Sequence, residues 1–241
     1  VYKRQYQDLR RQIAAEPKVV FRSFRRSSQE PFNYAAKVNH MCASADTESI
    51  IILNDDMVVQ TADWIQSLLT YSIHPEIGVV GGRLIHEDNT VQHVGCVLGV
   101  HGSSTHPYHG YSADHVGYNG FTHITRNYSV VTGACMAMRK EVFEMVGGFD
   151  EIFKTDFNDT DFCLKVRKRG LRVVYNPHVQ FIHYESKSCV RTSQSPEEVM
   201  EFKRRWSDMI SNDPYYHPCL SRNSGDFSLA QAHLDLITVR Q

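Results

Sequence analysis

The sequence predicts an α/β fold with a mostly parallel sheet flanked by helices, on three observations. Ile50-Ile51-Ile52-Leu53 is a short β-branched apolar run, the form taken by a strand buried on both faces. Segments of helical period lie on either side of it, from Asn33 and from Thr61. Further on, a helical stretch from Asn158 or Asp159 leads into apolar runs at Leu171–Tyr175 and Val179–Tyr184. Strand and helix alternating in this way is the pattern of βαβ units.

In chain order, Tyr6, Leu9 and Ile13 form one stripe of a short helix over 6–15, and Lys18 to Phe24 reads as a strand. Arg25 to Pro31 is a polar loop, after which Asn33 can cap a helix carrying Ala35, Ala36, Val38 and Met41. The apolar run at 50–53 stops at Asn54-Asp55-Asp56, and Thr61 caps a helix holding Trp64, Ile65, Leu68, Leu69 and Ile73. Val79-Val80, Arg83–Ile85 and Val91–Leu98 suggest strands. Residues 99–128, rich in Gly, His, Tyr and Ser without periodicity, read as a long loop, and loops of that length are often functional. Ser129–Met138 reads as a buried strand and Lys140–Val146 as a short helix ended by Gly147-Gly148. Gly170 closes the helix from 158, behind Lys165, Arg167, Lys168 and Arg169, cations suited to a helix C-terminus. Ser195-Pro196-Glu197-Glu198 is a capping box with Pro in the first turn, opening a helix with Val199, Phe202, Trp206 and Ile210. The division expected is a main domain over 1–190, with a helix and extended tail over 191–241 packed on it.

Composition narrows the function. Lys plus Arg number 26 and Asp plus Glu 27, a net charge of −1, which argues against general nucleic-acid binding. No apolar stretch approaches the roughly 18–20 residues that cross a bilayer. Six cysteines without a CxxC pair read as reduced thiols of a cytoplasmic chain. GxGxxG, GxxxxGKS and GxSxG are absent, which weakens dinucleotide-binding, P-loop and serine-hydrolase readings.

Three motifs can carry chemistry, and each stands at the end of an element. Asp55 and Asp56 follow the buried strand, where ligands bind in open α/β sheets. Paired carboxylates there suit a divalent cation that bridges phosphates, or else an ordinary turn capping the next helix. Asn158-Asp159-Thr160-Asp161 opens a helix, where a carboxylate is stabilised as an anion and can act as general base for a hydroxyl, or simply cap. His183 closes the run Val179–Ile182, placed to ligate a metal or contact a phosphate, or to be structural. A rival site lies in His86, His93, His101, His106, His109, His115 and His123, which could hold zinc although no compact ligand spacing accompanies them.

With these motifs in this order, the chain resembles the family 2 glycosyltransferases, inverting enzymes of the GT-A fold. The resemblance runs from about Phe32 to Ser186 and through the tail to Leu229. It rests on Phe32-Asn33-Tyr34-Ala35-Ala36-Lys37-Val38-Asn39, Ile51-Ile52-Leu53-Asn54-Asp55-Asp56, Val131-Thr132-Gly133-Ala134-Cys135, Gly147-Gly148-Phe149-Asp150-Glu151, Asn158 to Cys163 and His183-Tyr184-Glu185-Ser186. Asp213-Pro214-Tyr215-Tyr216 and Asp226 to Leu229 are similar to a subgroup associated with bacterial surface-polysaccharide assembly. The resemblance implies that Asp56 binds Mg²⁺ or Mn²⁺ at a donor diphosphate, with Asp55 beside it and His183 as a further ligand. It implies Asp159 as the base that takes the acceptor hydroxyl proton. Asn54, Lys37 and Asn39 are implied on the donor side, and Gly133, Ala134 and Asp161 on the acceptor side. Asn54 stands where many relatives have Asp, and Asn158 replaces a common Glu. Relatives begin with a nucleotide-binding strand and a second strand bearing an acidic motif; neither is visible before Lys18, so the chain is expected to be truncated.

The activity implied is transfer of a sugar from a nucleotide-sugar donor to a glycan or lipid-linked glycan hydroxyl, with inversion, in cell-envelope polysaccharide synthesis. It would take place in the cytoplasm, at the inner face of the membrane when the acceptor is lipid-linked, and in the context of further domains of a larger transferase. The 99–128 segment is expected to close over the acceptor. Two alternatives stand beside this: a non-catalytic nucleotide-sugar or glycan-binding module, and a zinc-binding structural protein organised by the His-rich loop.

Overall fold

The computed structural model of the 241-residue chain describes residues 32–184 and 194–231, with 7, 9–11, 13, 14, 16 and 18–23 upstream. The strands are β1 (Ser49–Leu53), β2 (Met57–Val59), β3 (Ile77–Ile85), β4 (Val91–His93), β5 (Val97–Val100), β6 (Ser103–Thr105), β7 (Arg126–Tyr128), β8 (Cys135–Arg139) and β9 (Arg172–His183). The helices are α1 (Tyr34–Ala43), α2 (Trp64–Ser72), α3 (Lys140–Met145), α4 (Asn158–Lys168) and α5 (Pro196–Ser211), with a 3₁₀ turn at Tyr118–Gly120.

Seven strands form one sheet in the order β1-β8-β3-β9-β2, with β4 added to β3 and β7 to β9. The sheet is mixed, which corrects the expectation of a mostly parallel one. Among the described strands β3 and β9 alone pair in parallel, while β1 with β8, β8 with β3, and β2 and β7 with β9 are antiparallel. An apolar run reports that both faces of a strand are covered; it does not report the direction of the neighbour.

Both faces are covered. Along β1, Ile50 and Ile52 join one apolar cluster with Val38 of α1, Phe143 of α3 and Phe162 of α4, whereas Ile51 and Leu53 pack against the other, with Trp64, Leu68, Phe181, Leu9 and Ile13. β8 alternates in the same way, Met136 and Met138 to the first cluster and Cys135 and Ala137 to the second. β3 is buried along its whole length. Its Gly81 lets the segment before β8 lie flat on the sheet, since a Cβ there would come within 2.5 Å of the Val131 Cβ. The runs at 171–175 and 179–184 are one strand rather than two. Its register against β3 shifts between Gly82 and Arg83, where Asn176 and Gln180 are the successive partners, and Pro177, which has no N–H to donate, sits in the bulge.

Several local expectations hold. Asn33 caps α1, its Oδ1 accepting from the Ala36 amide at 3.0 Å, and the described positions between 7 and 14 are helical. Others change. Residues 19–23 form no strand; Phe24 lies outside the described residues. Thr61 does not cap α2; its Oγ1 accepts from the Gln180 amide and pins β9 instead. The segment 99–128 holds most of the β5–β6 hairpin and, at its end, β7, while 129–134 runs over the sheet and turns before β8 begins. The capping box is half formed. Ser195 Oγ accepts from the Glu198 amide at 3.4 Å, but Glu198 Oε2 turns to the Asp156 amide at 2.7 Å, tying the start of α5 to the segment that enters α4. α5 then packs over the β5–β6 hairpin.

Candidate active site

The antiparallel pairing of β2 with β9 sets Met57 opposite His183, and the Tyr184 amide donates to the Asp56 carbonyl at 3.1 Å. This ladder brings Asp56 and His183, 127 positions apart in sequence, to 3.0 Å between Oδ1 and Nε2, with side chains 14% and 8% exposed. On the far side of the ring, His183 Nδ1 lies 2.7 Å from Gln92 Oε1. Donation from Nδ1–H to Gln92 leaves Nε2 as an acceptor, with Asp56 Oδ1 at 3.0 Å and the Asn54 amide, able to donate, at 3.4 Å beside it. Asp56 Oδ1 is buried and makes no hydrogen bond. Two lone pairs at that distance repel unless a cation lies against both, and ~3 Å separates neighbouring ligands of an octahedral ion whose bonds are ~2.1 Å. The residues therefore fit Mg²⁺ or Mn²⁺. The oxygen–nitrogen donor set and the unpartnered oxygen are the observations that say so.

Asp159 stands in the first turn of α4. The residue before the helix, Phe157, has φ +57° and is held by stacking on Phe202 of α5, ring centroids 4.3 Å apart. Each Asp159 oxygen accepts one backbone amide, Oδ1 from Thr160 at 2.7 Å and Oδ2 from Gly133 at 2.8 Å. A carboxylate oxygen has about two lone-pair positions; Oδ1 also accepts the Thr160 hydroxyl at 3.4 Å, so Oδ2 is the oxygen that retains one for a proton. Gly133 eases this approach, because a Cβ there would lie 3.3 Å from the Asp159 Cβ and 3.2 Å from the Tyr34 hydroxyl, which itself donates to the Gly133 carbonyl. Burial, ahead of the nearby Asp159 charge, raises the Tyr34 phenol far above its ordinary range, so it remains a donor.

Asp159 and His183 line one cavity of about 320 Å³, together with Thr132, Gln92, His93 and His106. Gln92 is the site residue that sequence reading did not single out. An uncharged amide carries no motif, and its only signal was a polar residue inside the apolar run 91–98.

The remaining candidates divide. Asn54 is placed beside His183 as an outer group. Asp55 is exposed at the turn, while Asp56 is turned inward, so the two acids do not form a paired site. Lys37 and Asn39 lie on α1 and do not line the cavity. The Asn39 amide is used on both sides by the turn after α3, donating to the Phe149 carbonyl and accepting from the Phe149 amide, each at 2.8 Å. That is bracing in place of the expected donor contact. Gly133 positions Asp159, and Ala134, buried, accepts the Asn54 amide through its carbonyl at 3.0 Å. Asp161 is wholly buried and faces α5, accepting from Arg205 Nη1 at 2.9 Å and Trp206 Nε1 at 3.0 Å. A carboxylate used in this way cannot meet an acceptor.

The His-rich segment does bring His93, Cys96 and His106 together, with ligand-type atoms within 4.8 Å of one another. Yet His93 Nε2 accepts from the Gly95 and Thr132 amides, both at 3.3 Å, which assigns the ring proton to Nδ1, 3.8 Å from Cys96 Sγ. A zinc ion on Nδ1 would force that proton to Nε2, against two N–H groups. Burial holds His93 well below the usual imidazole range and the Cys96 thiol well above its own. The cluster is a hydrogen-bonded wall of the cavity, and the zinc-protein expectation is corrected accordingly.

The family model described as glycosyltransferase like family 2 matches residues 7–208. The chain belongs to glycosyltransferase family 2. This family 2 chain is 37% identical over 204 residues to the O-antigen biosynthesis protein RfbC of Myxococcus xanthus, a match covering 83% of this chain and 16% of that protein. Over 65 residues it is 32% identical to the N-acetylglucosaminyl-diphospho-decaprenol L-rhamnosyltransferase of Mycobacterium tuberculosis, 27% of this chain and 21% of that one. It thus spans less than a quarter of the length of these curated relatives. Among solved structures, GalNAc-T7 with UDP, GalNAc and Mn²⁺ superposes with a TM-score of 0.56 at 12% identity, covering 97% of this chain and 47% of the other, which shows the shared GT-A fold. No helix among the described residues is long and apolar enough to cross a membrane.

Proposed function

We propose that this family 2 domain transfers a sugar from a nucleotide-diphosphate sugar to a hydroxyl of a glycan or lipid-linked glycan, with inversion at the anomeric carbon, in cell-envelope polysaccharide synthesis. The observation that carries the reading is that Asp159 and His183, the latter with Asp56 at 3.0 Å, converge on one cavity. The similarity to RfbC supports the polysaccharide context, and the short share of the relatives that is matched supports a role as one part of a longer transferase. The work would be done in the cytoplasm, at the membrane's inner face for a lipid-linked acceptor.

Asp159 accepts the proton of the acceptor hydroxyl as its oxygen attacks the anomeric carbon from the side opposite the diphosphate. A single displacement needs one base and inverts the centre, unlike the two-carboxylate scheme of retaining hydrolysis. The Gly133 and Thr160 amides keep the Asp159 carboxylate aimed before the substrate arrives. Asp56 and His183 would hold a Mg²⁺ or Mn²⁺ ion, which supplies charge stabilisation to the departing diphosphate. His93 and His106 line the same cavity as the base.

The test is made in the full-length protein. Asp159→Asn is expected to lower transfer by at least about 100-fold, the contribution of a general base, with nucleoside diphosphate and Mn²⁺ binding retained by calorimetry. Full turnover by this variant rejects Asp159 as the base. Wild-type protein that binds but transfers nothing from a panel of nucleotide sugars establishes a binding module instead.

A further inference from the structure

Gln92 is out of place on general grounds: its primary amide is 4% exposed, in the middle of a three-residue strand whose other members, Val91 and His93, are fully buried. A polar group so placed is kept by a specific partner. The side chain reaches His183 Nδ1 at 2.7 Å, the shortest contact His183 makes, and the main-chain carbonyl of Gln92 lies 3.1 Å from His106 Nδ1. The strand pairs antiparallel with β3, Leu84 with His93 and Ile85 with Val91, and Gln92 is the extra residue of the bulge between these two pairs. β4 thus carries an acceptor to the back of the His183 ring.

We propose that Gln92 is the positioning residue of the cation site, fixing the His183 proton on Nδ1 and so presenting the Nε2 lone pair beside Asp56 Oδ1. The proposal rests on the reading of Asp56 and His183 as cation ligands. An imidazole has one lone pair when neutral, and the hydrogen bond on the opposite nitrogen decides where it points. Without an acceptor at Nδ1, the proton is free to move to Nε2, where Asp56 at 3.0 Å attracts it; the resulting His–Asp hydrogen bond consumes both ligand atoms. Gln92 thus selects between a closed His–Asp hydrogen bond and an open two-ligand site.

Two variants separate the roles of the amide. Gln92→Glu keeps an acceptor at this position, whereas Gln92→Met removes it and keeps most of the volume. Mn²⁺ affinity is measured by calorimetry and electron paramagnetic resonance on the full chain, with UDP present and at a pH where imidazole is neutral, and melting temperature reports the fold. Gln92→Met is expected to weaken Mn²⁺ binding 10–100-fold, the usual effect of losing a ligand-orienting partner, and Gln92→Glu to stay within a few-fold of wild type. Long-range ¹H–¹⁵N correlation spectra of metal-free wild-type protein, which need no variant to fold, should show neutral His183 protonated on Nδ1. The proposal is overturned by unchanged Mn²⁺ affinity in Gln92→Met, by equal losses in both variants, or by a proton on Nε2 in the wild type. Wild-type protein that fails to bind Mn²⁺ overturns the cation reading itself, a distinct result.

Discussion

Replacing Asp161 with Ala discriminates between two roles for a residue that sits two positions from the proposed base. The carboxylate is fully buried and accepts from Arg205 Nη1 at 2.9 Å and Trp206 Nε1 at 3.0 Å, with Lys165 Nζ 3.4 Å away. Its removal leaves the buried indole N–H unpartnered, at about 1–3 kcal/mol, and deletes a charge-assisted bond worth about 1.5–3 kcal/mol. Arg205 is not orphaned, because it keeps Asp150 at 2.7 Å and Glu201 at 2.9 Å, which holds the total toward the lower part of that range. The expected cost is about 3–4 kcal/mol, in line with breaking a buried pair from one side. In urea, with a slope near 3 kcal/mol/M, the midpoint should fall by about 1 M. Equilibrium unfolding followed by tryptophan fluorescence and by far-ultraviolet circular dichroism measures it. A midpoint shift under about 0.3 M, accompanied by a raised acceptor KM, would refute the assignment and restore Asp161 to the acceptor side.

Two further outcomes follow from the same contacts. Arg139→Met should destabilise the chain by about 2–4 kcal/mol, since the guanidinium gathers the carbonyls of Ser72, His74, Pro75 and Ile77 after α2; amide hydrogen exchange over residues 73–78 should accelerate with it. Partial burial alone would raise the Asp150 carboxyl, but the hydrogen bonds from Arg205 and the Ile152 amide outweigh it and hold the carboxyl below its ordinary value. A lowered folded-state value stabilises above the unfolded pKa and is lost as pH falls through the folded one, so Asp150→Asn should flatten the acid side of the melting-temperature profile below about pH 4.

The parts of the fold legible in the sequence were those written in local chemistry. Asn33 before an amphipathic run gave the start of α1, and Ile50–Leu53 ending in Asn54-Asp55-Asp56 gave a strand with a polar mouth. Strand direction was not legible, because the apolar pattern of β1 is the same whether β8 runs with it or against it. At the candidate site, Asp56, Asp159 and His183 each stood at the end of an element and could be picked out as candidates. What they touch could not: Asp159 is aimed by a main-chain amide of Gly133, and His183 by the amide of Gln92 on a strand far away in sequence. Asp161 misled for the same reason, since its partners Arg205 and Trp206 lie 44 and 45 positions downstream on α5. Long-range pairing of polar groups has no sequence period to announce it.

Two neighbouring peptide units, at Gly133 and Ala134, hold one group each: the first clamps Asp159, the second anchors the main chain at Asn54, two residues from Asp56. A displacement of this short turn would pull on the proposed base and on the loop of the proposed cation ligand at once, so a single stretch of backbone ties the two together.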